Sequence, residues 1–123
     1  PMKTQTSRKN AFTLVEIMIV VAIIGILAAI AIPNFVKARS TAQKNACIAN
    51  LKQIDGAVQQ WALEQKKVAS DTYAVTDTDL LAYMKGSQLP GNGTCPAGGP
   101  YAAGATVSAS PTCSLSTSQG HTL

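Results

Sequence analysis

Few side chains in this sequence of 123 residues could do chemistry, and the first that needs a reason is Glu16. It is the one charged residue between Phe12 and Ile32, an otherwise apolar run. An acid at the centre of a membrane-spanning helix costs a few kcal/mol, roughly 2.5 to 3.5 for aspartate on insertion scales, and is rarely kept without a task. The other acids, Asp55, Glu64, Asp71, Asp77 and Asp79, form no cluster suited to paired acid and base roles. Asp71, Asp77 and Asp79 read as linker and cap residues rather than a calcium cage. His121 is the sole histidine, and Cys47, Cys95 and Cys113 are the only thiols. These four permit a zinc site by donor type, but no C-x-x-C or comparable ligand spacing joins them, so no metal is expected. No enzymatic constellation, cofactor motif or small-molecule site emerges, and the expectation is a non-enzyme without a cofactor.

The element that must position Glu16 is a long helix. At about 1.5 Å per residue, Phe12 to Ile32 covers about 30 Å, the hydrocarbon thickness of a bilayer. The formal charge of +4 does not mark a nucleic-acid binder, because Lys3, Arg8 and Lys9 supply three of those charges ahead of the apolar run and the rest are spread out. Two Phe, three Tyr and one Trp offer no stacking platform either. Basic residues before the run leave that end in the cytoplasm and send the bulk of the chain outward. Two plain readings fit this pattern. One is a secretory signal peptide with a small-x-small cleavage site at Ala29, Ile30 and Ala31, which would release a disulfide-stapled binding domain. The other is a single-pass anchor, for which Glu16 has no use.

The segment Ala11-Phe12-Thr13-Leu14-Val15-Glu16, after a short basic leader and before an unbroken apolar run, resembles the cleavage and methylation motif of type IV prepilins and type II secretion pseudopilins. The resemblance implies cleavage between Ala11 and Phe12 by a prepilin peptidase and N-methylation of the new Phe12 amine. Ala11 stands where that family most often has glycine. It also implies that the Glu16 carboxylate pairs with the N-terminal amine of a neighbouring subunit and acts as a register key, since an unpaired carboxylate in a dry filament core is costly. Gly25 and Pro33 interrupt a strong helix former; the resemblance implies a stretch that extends or bends as subunits pack. The implied product is a structural subunit of a pilus or pseudopilus filament. Before assembly it spans the bacterial inner membrane once with its head in the periplasm, and its partners are its own copies, the peptidase and the assembly machinery.

Beyond Pro33, Cys47, Leu51, Ile54, Val58 and Trp61 repeat at steps of four and three and draw an apolar stripe on one helix face, with Lys52, Gln53, Gln59, Gln60 and Glu64 largely away from it. A helix from Phe12 to near Lys67 would be on the order of 80 Å long. The expected organisation is a leader over 1–11, a membrane or filament-core half-helix over 12–33, an amphipathic half over 34–67 and a small head over 68–123. The fold class expected is α+β.

In the head, Thr76 and Asp79 read as a capping box opening a short helix, with Leu80, Leu81 and Tyr83 or Met84 inward and Gly86 ending it. Residues Val68 to Val75 read as a linker, and Pro90 to Gly93 and Gly98 to Pro100 as turns. Tyr101, Thr106 to Ser108 and Thr112 to Leu115 are the strand candidates of a two- or three-stranded antiparallel sheet against the Trp61 stripe. Thiols in an exported head meet an oxidising compartment. A Cys95–Cys113 bridge would close a loop of about twenty residues, worth roughly 3 kcal/mol. That pairing is preferred, although Cys47 lies on the inward stripe and could bridge to either; three pairings are open.

Overall fold

The structure, a computed structural model, describes residues 1–3 and 10–123. Arg8 and Lys9 of the basic leader lie outside the described residues, and Lys3 is exposed. The chain divides into two compact units, Pro1–Lys37 and Ala38–Leu123. The expected α+β architecture is present. A 51-residue helix α1, Leu14–Glu64, precedes two four-residue helices, α2 (Thr78–Leu81) and α3 (Ser116–Gln119). Strands β1 (Tyr101–Ala102) and β2 (Thr112–Cys113) form an antiparallel pair in which Tyr101 faces Cys113 and Ala102 faces Thr112.

In the first unit the helix carries apolar residues on every side, and its large apolar side chains are exposed, from Leu14 and Val15 through Ile30 and Ile32 to Phe35 and Val36. A helix that is hydrophobic all round finds no partner within its own unit and must be covered by lipid or by other chains. It is long and apolar enough to cross a membrane. Gly25 and Pro33 both lie inside α1 and neither ends it.

In the second unit the helix becomes one-sided. Cys47, Leu51, Ile54, Ala57, Val58, Trp61 and Ala62 are buried, while Lys52, Gln53, Gln59, Gln60 and Glu64 are exposed, as the four-and-three spacing predicts. The stripe packs on Tyr73, Leu80, Met84, Cys95, Tyr101, Val107 and Cys113. Each fully buried Leu or Ile there contributes about 1.5–3 kcal/mol from area removed from water. The helix ends slightly before Lys67 in a Schellman arrangement: Lys66 takes a left-handed φ of 54°, Lys67 N–H donates to the Ala62 carbonyl at 2.8 Å and Lys66 N–H to Leu63 at 3.4 Å. The Lys67 ammonium then lies 5.6 Å from the centre of the Trp61 ring.

Three local expectations are revised. The Thr76/Asp79 capping box does not form; the N-cap of α2 is Asp77, whose carboxylate instead accepts the Ala74 N–H at 3.0 Å and folds the preceding turn. Asp71 does the same for Val68 at 3.0 Å, so these acids organise linker backbone. Second, Thr106 to Ser108 is not a strand. Val107 and Ser108 donate to the carbonyls of Asp71 and Ala69 at 2.8 and 3.1 Å, and the Gln59 amide donates to Val107 O at 3.0 Å, so the linker and the long helix take the groups a ladder would need. Third, the segment after β2 turns into α3 rather than continuing as strand to Leu115. Leu80 and Met84 are buried and Leu81 and Tyr83 half-buried, with the Tyr83 hydroxyl donating to Glu64 at 2.6 Å. Gly86, with a φ of 74°, falls in the 3₁₀ turn Lys85–Ser87 that follows, and Pro90–Gly93 forms a second such turn.

Candidate functional site

Two groups of residues carry chemical interest. The first is the start of α1. Residues Ala11 to Thr13 precede the helix without regular structure, and Phe12 is 83% exposed. The Ala11–Phe12 peptide bond therefore lies in exposed, non-helical backbone. Thr13 and Glu16 close a reciprocal capping box. The Glu16 N–H donates to Thr13 Oγ1 at 3.2 Å, and the Thr13 N–H donates to a Glu16 carboxylate oxygen at 2.8 Å. Two otherwise orphaned donors of the first turn are satisfied, and the negative charge lies at the positive end of the helix dipole. Thr13 is the residue the sequence reading missed. Its signal is Thr-x-x-Glu directly before an apolar run. Glu16 thus has a task in its own chain, on the residue next to Phe12.

The second group lies in the head. Cys47 on α1, Cys95 after the Pro90–Gly93 turn, Cys113 on β2 and His121 after α3 are all buried, and their ligand atoms lie within 4.8 Å of one another. Cys95 Sγ is 3.2 Å from His121 Nδ1, and Ala97 N–H donates to Cys95 Sγ at 3.4 Å. No disulfide bond links the three cysteines in this structure. Burial, and then hydrogen bonding with the Cys95 and Cys113 thiols, pushes the Cys47 thiol up to about 12. Beside the cluster, the Asn50 amide donates to the Tyr101 hydroxyl at 2.9 Å, and burial pushes that phenol up to about 12.

Backbone choices bring these four side chains together. Cys95 and Gly99 close a turn through the Cys95 N–H to Gly99 carbonyl bond at 2.7 Å. A Cβ on Gly99 would fall 2.6 Å from Ser114 Oγ, 2.8 Å from Leu115 Cγ and 3.1 Å from Cys113 Sγ, so only glycine lets this turn approach β2. Gly120 ends α3 with a φ of 67° and turns His121 inward. Sequence spacing alone could not place them together, because each comes from a different element.

The family match falls on the first group and the start of the long helix. Residues 6–32 match the family described as the prokaryotic N-terminal methylation motif. The chain is 48% identical over 60 residues to the type IV major pilin protein PilA of Myxococcus xanthus, covering 49% of this chain and 27% of that one. It is 29% identical over 85 residues to the type II secretion system core protein G of Escherichia coli, covering 69% and 55%. To the type IV major fimbrial protein FimA of Dichelobacter nodosus it is 40% identical over 75 residues, covering 61% and 47%. The chain spans about half the length, or less, of these curated relatives. No solved structure matches it. By motif and by these relatives, the chain is similar to type IV pilins and type II secretion pseudopilins.

Proposed function

We propose that this chain is a structural subunit of a type IV pilus or type II secretion pseudopilus filament and performs no catalysis of its own. One observation carries the reading: an accessible Ala11–Phe12 bond and a Thr13–Glu16 cap lead directly into a helix apolar on every side, within the residues that match the methylation motif. A prepilin peptidase removes 1–11 and methylates the Phe12 amine. Residues 12–33 hold the precursor in the inner membrane and later form the filament core, with the head on the periplasmic side. Residues 34–67 carry the head, 68–123, to the filament surface. Glu16 receives the amine of a neighbouring subunit and sets the register, while Gly25 and Pro33 allow the helix to bend or extend on packing. Copies of itself, the peptidase and the assembly machinery are its partners.

The test is electron microscopy of material sheared from cells that make the protein, labelled with an antibody to the head. Labelled surface fibres support a pilus, and label restricted to short periplasmic filaments supports a pseudopilus. Label found only on soluble secreted protein refutes both and favours release after Ala31.

A further inference from the structure

We propose that Cys47, Cys95, Cys113 and His121 bind one Zn²⁺ ion as a structural Cys₃His centre that locks the head together. The donors are every thiol and the only imidazole of the chain, and they converge from four separate elements. With Zn–S near 2.3 Å and Zn–N near 2.0 Å, tetrahedral coordination puts ligand atoms about 3.5–3.8 Å apart. The four atoms here already lie within 4.8 Å, and the Cys95–His121 pair at 3.2 Å, so rotamer adjustments of an ångström or less complete the shell.

The surroundings fit a closed structural site rather than a catalytic one. All four residues are at least 97% buried, which leaves no open coordination position for a substrate. The Ala97 N–H aimed at Cys95 Sγ is the kind of outer contact that stabilises a metal-bound thiolate. The Lys44 amine lies 3.1 Å from where a Cβ on Gly120 would be, and Lys44 and His121 line one surface cavity. Three thiolates, one neutral imidazole and Zn²⁺ carry a net charge of minus one, which that ammonium offsets. On binding, three S–H bonds break, three Zn–S bonds and one Zn–N bond form, and three protons leave to solvent. Thiolate and imidazole donors in a tetrahedral array select zinc over magnesium or calcium.

A disulfide serves this cluster less well. Any pairing of two cysteines leaves the third thiol and the imidazole buried against it, whereas one metal ion engages all four groups. The gain for the fold is large, because the head has two strands of two residues and two helices of four residues, too little regular structure to hold itself tightly. The ion joins the long helix, the turn after Pro90, β2 and the segment after α3 at one point.

The full chain, purified in detergent without chelator, is expected to carry one zinc per chain by elemental mass spectrometry, with all three thiols unoxidised. Replacing zinc with Co²⁺ should give the strong visible bands of a four-coordinate cobalt thiolate and a sulfur-to-metal charge-transfer band in the near ultraviolet. His121→Ala should weaken cobalt binding by more than the roughly 10–100-fold typical of losing an outer-shell partner. His121→Cys should retain one metal and strengthen the charge-transfer band, a readout that loss of folding could not produce. Purified protein with two cysteines joined in a disulfide and no bound metal overturns the proposal. So does a pale six-coordinate cobalt spectrum, or a His121→Ala spectrum and affinity equal to those of the unaltered chain.

Discussion

Substitutions at Thr13 and Glu16 separate two roles that one carboxylate fills. In its own chain Glu16 closes a capping box with Thr13 through bonds of 2.8 and 3.2 Å. Thr13→Ala removes the hydroxyl acceptor and should cost about 1 kcal/mol of local helix stability, a factor of roughly five. Glu16→Gln keeps an acceptor that serves a capping box equally well but removes the charge. If Glu16 also receives a neighbour's amine, an ion pair near 4 Å at an effective dielectric of 20 is worth about 4 kcal/mol, roughly a thousandfold per contact. The two effects therefore differ by more than two orders of magnitude. The assay is cleavage by intact mass, together with filament yield by electron microscopy, for Thr13→Ala, Glu16→Gln and Glu16→Ala. Thr13→Ala should process and assemble with a modest loss. Both Glu16 variants should be cleaved yet form almost no filaments. A Glu16→Gln chain that assembles like the unaltered one would reduce Glu16 to a helix cap and refute the register role.

Leu51→Ala and Ile54→Ala each delete a fully buried side chain from the stripe and should cost about 2–5 kcal/mol, read as a lowered melting temperature of the detergent-solubilised chain by near-ultraviolet dichroism. Gly99→Ala places a methyl within 2.6–3.1 Å of Ser114, Leu115 and Cys113, and should destabilise the head by about 1–3 kcal/mol in the same assay. The Tyr101 phenol, held near 12 against an ordinary value of 10, keeps its proton in the folded head after the unfolded chain has lost it. Stability contributed by that phenol is complete below pH 10 and falls as pH rises from 10 to 12; Tyr101→Phe should flatten this part of the unfolding profile.

The long helix and its change of character were legible because periodicity survives in the sequence. The run from Phe12 to Ile32 is apolar at every angle, and the steps from Cys47 to Trp61 select one face. The turn at Pro90–Gly93 was legible through glycine and proline, whereas the next turn closes earlier than Gly98–Pro100, over residues 95–98, and Pro100 bridges Thr94. What escaped was decided by competition for hydrogen bonds or by convergence in space. Thr76 and Asp79 have the composition of a capping box, yet Asp77 commits its carboxylate to Ala74; the box forms at Thr13 and Glu16, where the same pattern exists. Thr106 to Ser108 has strand composition, but Asp71, Ala69 and Gln59 engage its backbone. The cysteine and histidine cluster has no short spacing to announce it. Its four members meet only after the helix, both turns, β2 and α3 are in place.

Mass determination with N-terminal sequencing of the protein from native membranes tests processing at Ala11–Phe12 directly. The predicted result is a chain that begins at Phe12 and carries one methyl group on its amine. A chain that begins at Ile32, or one that keeps residues 1–11, contradicts it.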